Sequence, residues 1–554
     1  MKGLKDLLAR QGGMWALLFM MILISALLCG LWGRQGWPIG SFWWDELALA
    51  GGAHAIELGL KPTVDFWAPF IWPFYQKWLA TKLAGLSGSY VVECVLQGWI
   101  VFALFVTALW PRRLHWIGYV AVGVLIVSAV APFNMLSVTE ARLGEVSFDC
   151  SYNRLGGAII GLIVVWVSTL QEDEIVSLRN ILWLAIVLTL SFLLKITVFQ
   201  LVWVLVFAKC VLAWSKDWFL LWVQSSLVAG AFVWMIFFFL GGLHGYLDAL
   251  MHLSRVRSIG LDIRSMLEVL IFIHRFELAL YLLPALLVVL WGGVGRNKII
   301  GEVSWYMASL IGFCLYTITN YGDSGLMPAV SSIYALIVCS VIGRRSETPR
   351  GEVGRVEETL KKLAFMCFFL LLLLYAALVF RWVGAYYERS RRVQMEPIEF
   401  KSELLNGQYS SRVDMMGAVN LRLLDIPINV VDPQLYVQYL KELDVANQFL
   451  QQHWPSKKTR VYALDFPAYA FSVVGGYDVP KGTYPWMLFD HELNLDHYPD
   501  AASVLGGVDV LLTTRCSLSG GNRWWLFSMY RVYIEAHFDF HGSTGCWDIY
   551  SRRR

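Results

Sequence analysis

Long apolar runs, each near the length that crosses a lipid bilayer, recur through the first 383 residues and limit the possible folds more than any other feature. They fall at about 13–32, 89–110, 115–133, 154–170, 178–194, 196–213, 218–241, 270–292, 299–318, 326–343 and 362–383. About 20 apolar residues in a helix span the hydrocarbon core. Lipid offers a backbone no hydrogen-bond partner, so such runs cross it as helices. The pattern predicts a polytopic α-helical membrane protein with about eleven spans. The composition agrees, with 57% hydrophobic and 16% charged residues. Lys195 alone divides the fifth run from the sixth, and the stretch 66–85 also reads as a half-inserted helix. The first run follows Lys2, Lys5 and Arg10. Its length and the lack of a small-residue cleavage site predict an uncleaved anchor.

Basic residues set the expected orientation. Arg112, Arg113, Lys216, Arg296, Lys298 and the cluster Arg344, Arg345, Arg350, Arg355, Lys361 and Lys362 all fall on one side, taken as cytoplasmic together with the N-terminus. An odd number of spans then puts the C-terminus outside. The net charge of +3 and the absence of long basic or acidic blocks give no nucleic-acid signal.

Beyond residue 383 the composition changes. Residues 1–383 read as the membrane part and 384–554 as an extracytoplasmic α/β domain. Helical periodicity runs over 434–452, and 459–464 and 508–514 read as buried strands. The pairs Gly475-Gly476, Gly506-Gly507 and Gly520-Gly521 mark turns. Of nine cysteines, Cys29, Cys94, Cys210, Cys314, Cys339 and Cys367 lie in apolar runs and read as small core residues. Cys516 and Cys546 lie in the polar tail, where a disulfide and two free thiols are equal readings.

The most informative stretch is 43–88. It holds Asp45 and Glu46 after the anchor, an amphipathic run through His54, Asp65 in a Val-Asp-Phe turn, then Pro69, Pro73, Gly85 and Gly88. A carboxylate at the membrane surface is suited to general-base work or to binding a divalent cation. The competing reading is that these acids favour the positive end of a helix starting there. Asp65 reads equally as support for the site or as a helix cap. His54 reads as a structural helix histidine before a metal ligand, because no compact ligand spacing accompanies it.

In order and spacing this tract resembles the GT-C superfamily, polytopic glycosyltransferases that use polyprenyl-phosphate sugars. These include the protein O-mannosyltransferases and the aminoarabinose and arabinofuranosyl transferases. Tyr152-Asn153-Arg154 before a Gly-rich span adds to the likeness, which covers residues 1 to about 384. The resemblance implies a donor of the polyprenyl-phosphate class, a glycan, lipid or protein acceptor, and contact with membrane lipid. It also implies a bacterial inner membrane with the tail in the periplasm. It matches Asp45 to the first-loop base, with Glu46 as the neighbouring claimant. A divalent cation would fall to Asp45 and Asp149. The second loop offers Glu140, Glu145 and Asp149 but no Asp-x-Asp, which leaves metal dependence open.

A lipid-phosphate leaving group needs positive charge, and Arg binds phosphate oxygens bidentately. Arg255, Arg257 and Arg264 in the third external loop, with Lys195 and Arg154, are the candidates. Each alone also reads as a side chain snorkelling to headgroups. Tyr321, with Asn320 and Asp323, lies in a short polar loop that reads as a tight turn or a pocket wall. The tail aromatics Tyr469, Tyr477, Tyr484, Trp486, Trp525 and Trp547 suit either a core or carbohydrate stacking. The His491–His497 region reads as solvated loop. Two other functions stay open: a ligase or polymerase of lipid-linked oligosaccharides, and a transporter or flippase. The latter predicts repeats with broken helices, and no repeat is visible.

Overall fold

The computed structural model describes residues 2–35, 37–38, 43–109, 116–130, 151–170, 172–258, 304–305, 307–313, 369, 373, 397–398, 409–410, 433–489, 493–517 and 520–553. The order begins with α1 (Lys2–Gln35), β1 (Trp37–Pro38), α2 (Trp43–Glu57), α3 (Trp72–Leu109), α4 (Trp116–Val130) and α5 (Ser151–Thr169). After a 3-10 turn come α6 (Leu178–Leu194), α7 (Ile196–Ala213), α8 (Lys216–Leu240) and α9 (Leu243–Ser258). Five segments are long and apolar enough to cross a membrane: Gly12–Gly30, Gly88–Ala108, Ser151–Thr169, Ile196–Ala213 and Lys216–Leu240. Two shorter apolar helices, Gly118–Val130 and Leu178–Leu194, fall on expected runs as well. Thus helices coincide with the first seven expected runs. Of the other four, 270–292, 326–343 and nearly all of 362–383 lie outside the described residues, and 299–318 is described only in part.

Burial separates the lipid-facing helices from the central one. Only 17% of the apolar window of α8 is buried within the protein, against 89% for α5. Trp234, Phe238 and Phe239 on α8 project outward, an apolar surface that calls for lipid. Helix α5 is instead enclosed, buried from Ser151 to Val167. Lipid tails are as apolar as leucine, so packing rather than a hydrophobic drive holds such helices together.

Helix α3 is not one rod. Gly85 breaks it with φ 69° and ψ 177°, a conformation tolerated almost only by glycine. Its arms fold back on each other: Gln76 Nε2 donates to the Glu93 carbonyl at 3.2 Å across the break. The half-inserted reading of 66–85 thus corresponds to an arm that returns along the helix that follows it.

The tail contains α10 (Pro433–His453), β4 (Val461–Leu464), α11 (Ala470–Gly475), α12 (Ala501–Leu505), β5 (Val510–Thr514), α13 (Gly520–His537), β6 (Phe538–Thr544) and β7 (Trp547–Arg552). Its sheet runs β4-β5-β7-β6, with β4 and β5 parallel and the other pairings antiparallel. Two-residue strands β2 (Pro397–Ile398) and β3 (Tyr409–Ser410) pair with β1 in the order β1-β3-β2. The expected helix and both expected strands are present, but Gly520-Gly521 opens α13 instead of turning the chain. Cys516 and Cys546 form a disulfide with Cα atoms 5.3 Å apart, which fastens the end of β5 to the β6–β7 turn.

The tail seats directly on the first loop. Trp67 N–H donates to the Thr483 carbonyl at 2.9 Å, and Gly482 N–H to the Asp65 carbonyl at 2.7 Å. Around these bonds Phe70 stacks on Trp486 with centroids 4.9 Å apart, and Trp67 lies 4.8 Å from Tyr484. Phe66 meets Tyr469 edge-on at 6.4 Å. Tyr469, Tyr484 and Trp486 are therefore buried at a seam between tail and loop, and Tyr477 and Trp547 are buried within the tail. Trp525 remains 41% exposed, stacked on Phe489.

Candidate functional site

Asp45 and Glu46 occupy the first turn of α2, where the unpaired amide ends carry partial positive charge. The two acids have different surroundings. Asp45 is half-buried. Glu46 is only 5% exposed and forms an ion pair with Lys77 on the returning arm of α3. Lys77 is fully buried and also stands 3.5 Å from Glu93 Oε2 on the other arm. Ser89 Oγ lies 3.4 Å from Glu46 Oε1. An unpaired buried charge is far costlier than a paired one, so the two carboxylates beside Lys77 offset the cost of burying it.

The polar seam continues into α5. Ser151 Oγ donates to Glu93 Oε1 at 2.5 Å. One turn along the same helix, Arg154 Nη2 donates to the Tyr90 hydroxyl at 2.8 Å. Asn153, between them, accepts from Lys195 Nζ at 3.0 Å, and that ammonium lies 5.6 Å from the Tyr152 ring centroid. Lys195 occupies the extended residue joining α6 to α7, so the sequence interruption at this position is the turn of a helical hairpin. Glu46 is thus linked through Lys77 and Glu93 to Ser151 in the first turn of α5, the turn that also carries the separate contacts of Asn153 with Lys195 and of Arg154 with Tyr90.

His54 and Asp65 serve the seam with the tail. His54 Nε2 lies 3.1 Å from the Tyr477 carbonyl, and burial holds the imidazole below its ordinary pKa, so the ring donates as the neutral tautomer. Burial opposes ionisation of Asp65. Lys481 at 2.9 Å and the Lys61 amide at 2.9 Å outweigh it, and the carboxyl stays below its usual range. Among the third-loop arginines, Arg255 is exposed on α9, one turn after His252, whose ring meets Trp67 edge-on at 6.4 Å. Arg257 continues α9. Arg264, Tyr321 and Asp149 lie outside the described residues.

Among the described residues no three His, Cys, Asp or Glu side chains cluster to hold a metal, and Lys77 already occupies the Glu46 carboxylate.

Lys77, Glu93 and Ser151 are absent from the sequence-derived site. The signal for two of them was present: ionisable residues within or beside apolar runs are functional candidates by default. Neither run reveals that the two charges meet, since that depends on the fold-back at Gly85. Searches against protein-family models, curated proteins and solved structures find no match to this chain.

Proposed function

We propose that this chain is an integral-membrane glycosyltransferase of the GT-C type, moving a sugar from a polyprenyl-phosphate donor to an extracytoplasmic glycan, lipid or protein acceptor. The observation that carries the reading is that the contacts leading from the acidic first turn of α2 end at Ser151, in the same turn of α5 where Asn153 holds Lys195 and Arg154 meets Tyr90. It supports a base and a phosphate-holding group on neighbouring elements.

In this mechanism the Asp45 carboxylate accepts the proton of an acceptor hydroxyl. The hydroxyl oxygen attacks the anomeric carbon as the bond from that carbon to the phosphate oxygen breaks, with inversion. Asp45 is the better base of the pair, because Glu46 is buried against Lys77. General-base assistance of this kind is worth roughly 10²- to 10⁴-fold. Lys195, with Arg154 and the exposed Arg255, balances negative charge growing on the departing phosphate. The disulfide in the tail favours an oxidising compartment, and so the extracytoplasmic side, for that domain.

The test is turnover of radiolabelled polyprenyl-phosphate sugars by the purified protein and its Asp45→Asn variant, with cell-envelope extract as acceptor source. Transfer by the wild type and its near-complete loss in the variant are expected. Full activity in Asp45→Asn overturns the base assignment. Absence of transfer across the donor panel, together with movement of intact lipid-linked sugar across proteoliposomes, replaces the transferase with a flippase.

A further inference from the structure

Lys77 has no place in the chemistry above, yet a fully buried ammonium among membrane helices demands a reason. Its position supplies one. It meets Glu46 in the first turn of α2 and Glu93 on the far arm of α3, so a single side chain joins three stretches of helix. The far arm is anchored in turn, because Glu93 accepts from Ser151 of α5, the most enclosed of the five membrane-length helices among the described residues. The other end of α2 is held separately, by His54 to Tyr477 and by Glu57, which accepts from Trp78 Nε1 at 2.7 Å. Apolar contacts of Leu47, Leu49 and Ala50 complete the packing of the first turns but have no directional preference.

We infer that Lys77 is a positioning residue: by clamping Glu46 to Glu93 it fixes the first turn of α2, and with it the adjacent Asp45 that we propose as the base. Breaking a buried pair leaves an uncompensated charge, which drives that segment to rearrange toward water. The loss is expected at the front of α2 and not at its His54 end. This role for Asp45 rests on the transferase reading, whereas the fixing of α2 does not.

The experiment is hydrogen–deuterium exchange on full-length protein in detergent, comparing wild type with Lys77→Met, Lys77→Arg and Glu46→Gln, alongside transfer kinetics from a polyprenyl-phosphate sugar. Lys77→Met and Glu46→Gln are expected to speed amide exchange in the first half of α2 by about tenfold or more, since local opening there loses its buried ion pair. Lys77→Arg, which keeps the charge, is expected to retain most of the protection. In transfer assays kcat is expected to fall by about 10²-fold in Lys77→Met with KM little changed, the cost of misplacing a catalytic group. Unchanged exchange in both charge-removing variants overturns the inference, whatever the kinetics. A wild type that transfers no sugar while α2 loosens in the variants upholds the clamp and overturns the transferase reading alone. Should Lys77→Met fail to fold, Glu46→Gln and Lys77→Arg decide the matter between them.

Discussion

Lys77 and Glu93 lie on opposite arms of one broken helix, and the ammonium of the first stands 3.5 Å from a carboxylate oxygen of the second. Their meeting depends on Gly85. A side chain added there would meet nothing within 4 Å, so any penalty comes from the backbone alone. At φ 69° and ψ 177° that penalty is about 1–3 kcal/mol for a residue with a Cβ. Gly85→Ala is therefore expected to lower the apparent melting temperature measured in detergent. An unchanged melting temperature would mean that the arms do not fold back at this residue.

A second glycine tests close packing. A Cβ at Gly52 would fall 2.1 Å from the Phe74 ring, on the face where α2 meets the returning arm. In an unobstructed helix, replacing glycine with alanine stabilises by up to about 1 kcal/mol. Here overpacking of about 1–3 kcal/mol outweighs that gain. Gly52→Ala is expected to destabilise, whereas Gly30→Ala, with open space around it, is not. Thermal unfolding of the two variants side by side gives the comparison.

The seam between tail and loop is expected to weaken in mild acid. Burial depresses the pKa of His54 in the folded protein below its model-compound value of 6.5. The unfolded chain therefore binds the proton first, and stability falls as pH drops from about 6.5 toward the folded-state value. Limited proteolysis of the tail between pH 8 and pH 5 should show faster release at the acid end. His54→Gln should flatten that dependence. Asp65 acts in a lower window: its depressed pKa contributes stability above about pH 4, lost as pH falls further.

Removing the tail disulfide should be costly. The bridge closes a loop with a sequence separation of 30. Constraint of the unfolded chain over that length is worth about 3–4 kcal/mol in the loop-entropy picture. Cys516→Ser with Cys546→Ser should lower the midpoint of denaturant unfolding followed in the tail. A midpoint that does not move would remove the bridge as a source of stability.

Much of the architecture was legible locally. Apolar length marks α1, α5, α7 and α8, and helical periodicity marks α10. The β6–β7 hairpin was not legible. A bulge between Phe540 and Gly542 breaks the two-residue alternation by which a strand is recognised. Asp45, Glu46, Lys195 and Arg154 could be named as candidates because charge stands out against apolar sequence. The links from Glu46 through Lys77 to Glu93, and from Lys195 to Asn153, could not, since each joins residues far apart in sequence and none leaves a local pattern. The sequence favoured a structural role for His54 and left Asp65 open between site and helix cap; in the structure both side chains hold the tail against the first loop.

The pairing of Trp67 with Thr483 also has a consequence in time. A ribosome releases the first loop long before it has made the segment that covers it. The loop must therefore wait through the translation of more than four hundred further residues, with Phe66 and Trp67 still lacking Tyr469 and Tyr484. Truncation before residue 469 would leave inserted helices but an uncovered loop, exposing aromatic surface to quality-control proteases. Completion of the chain is itself the last step in building the region around Asp45.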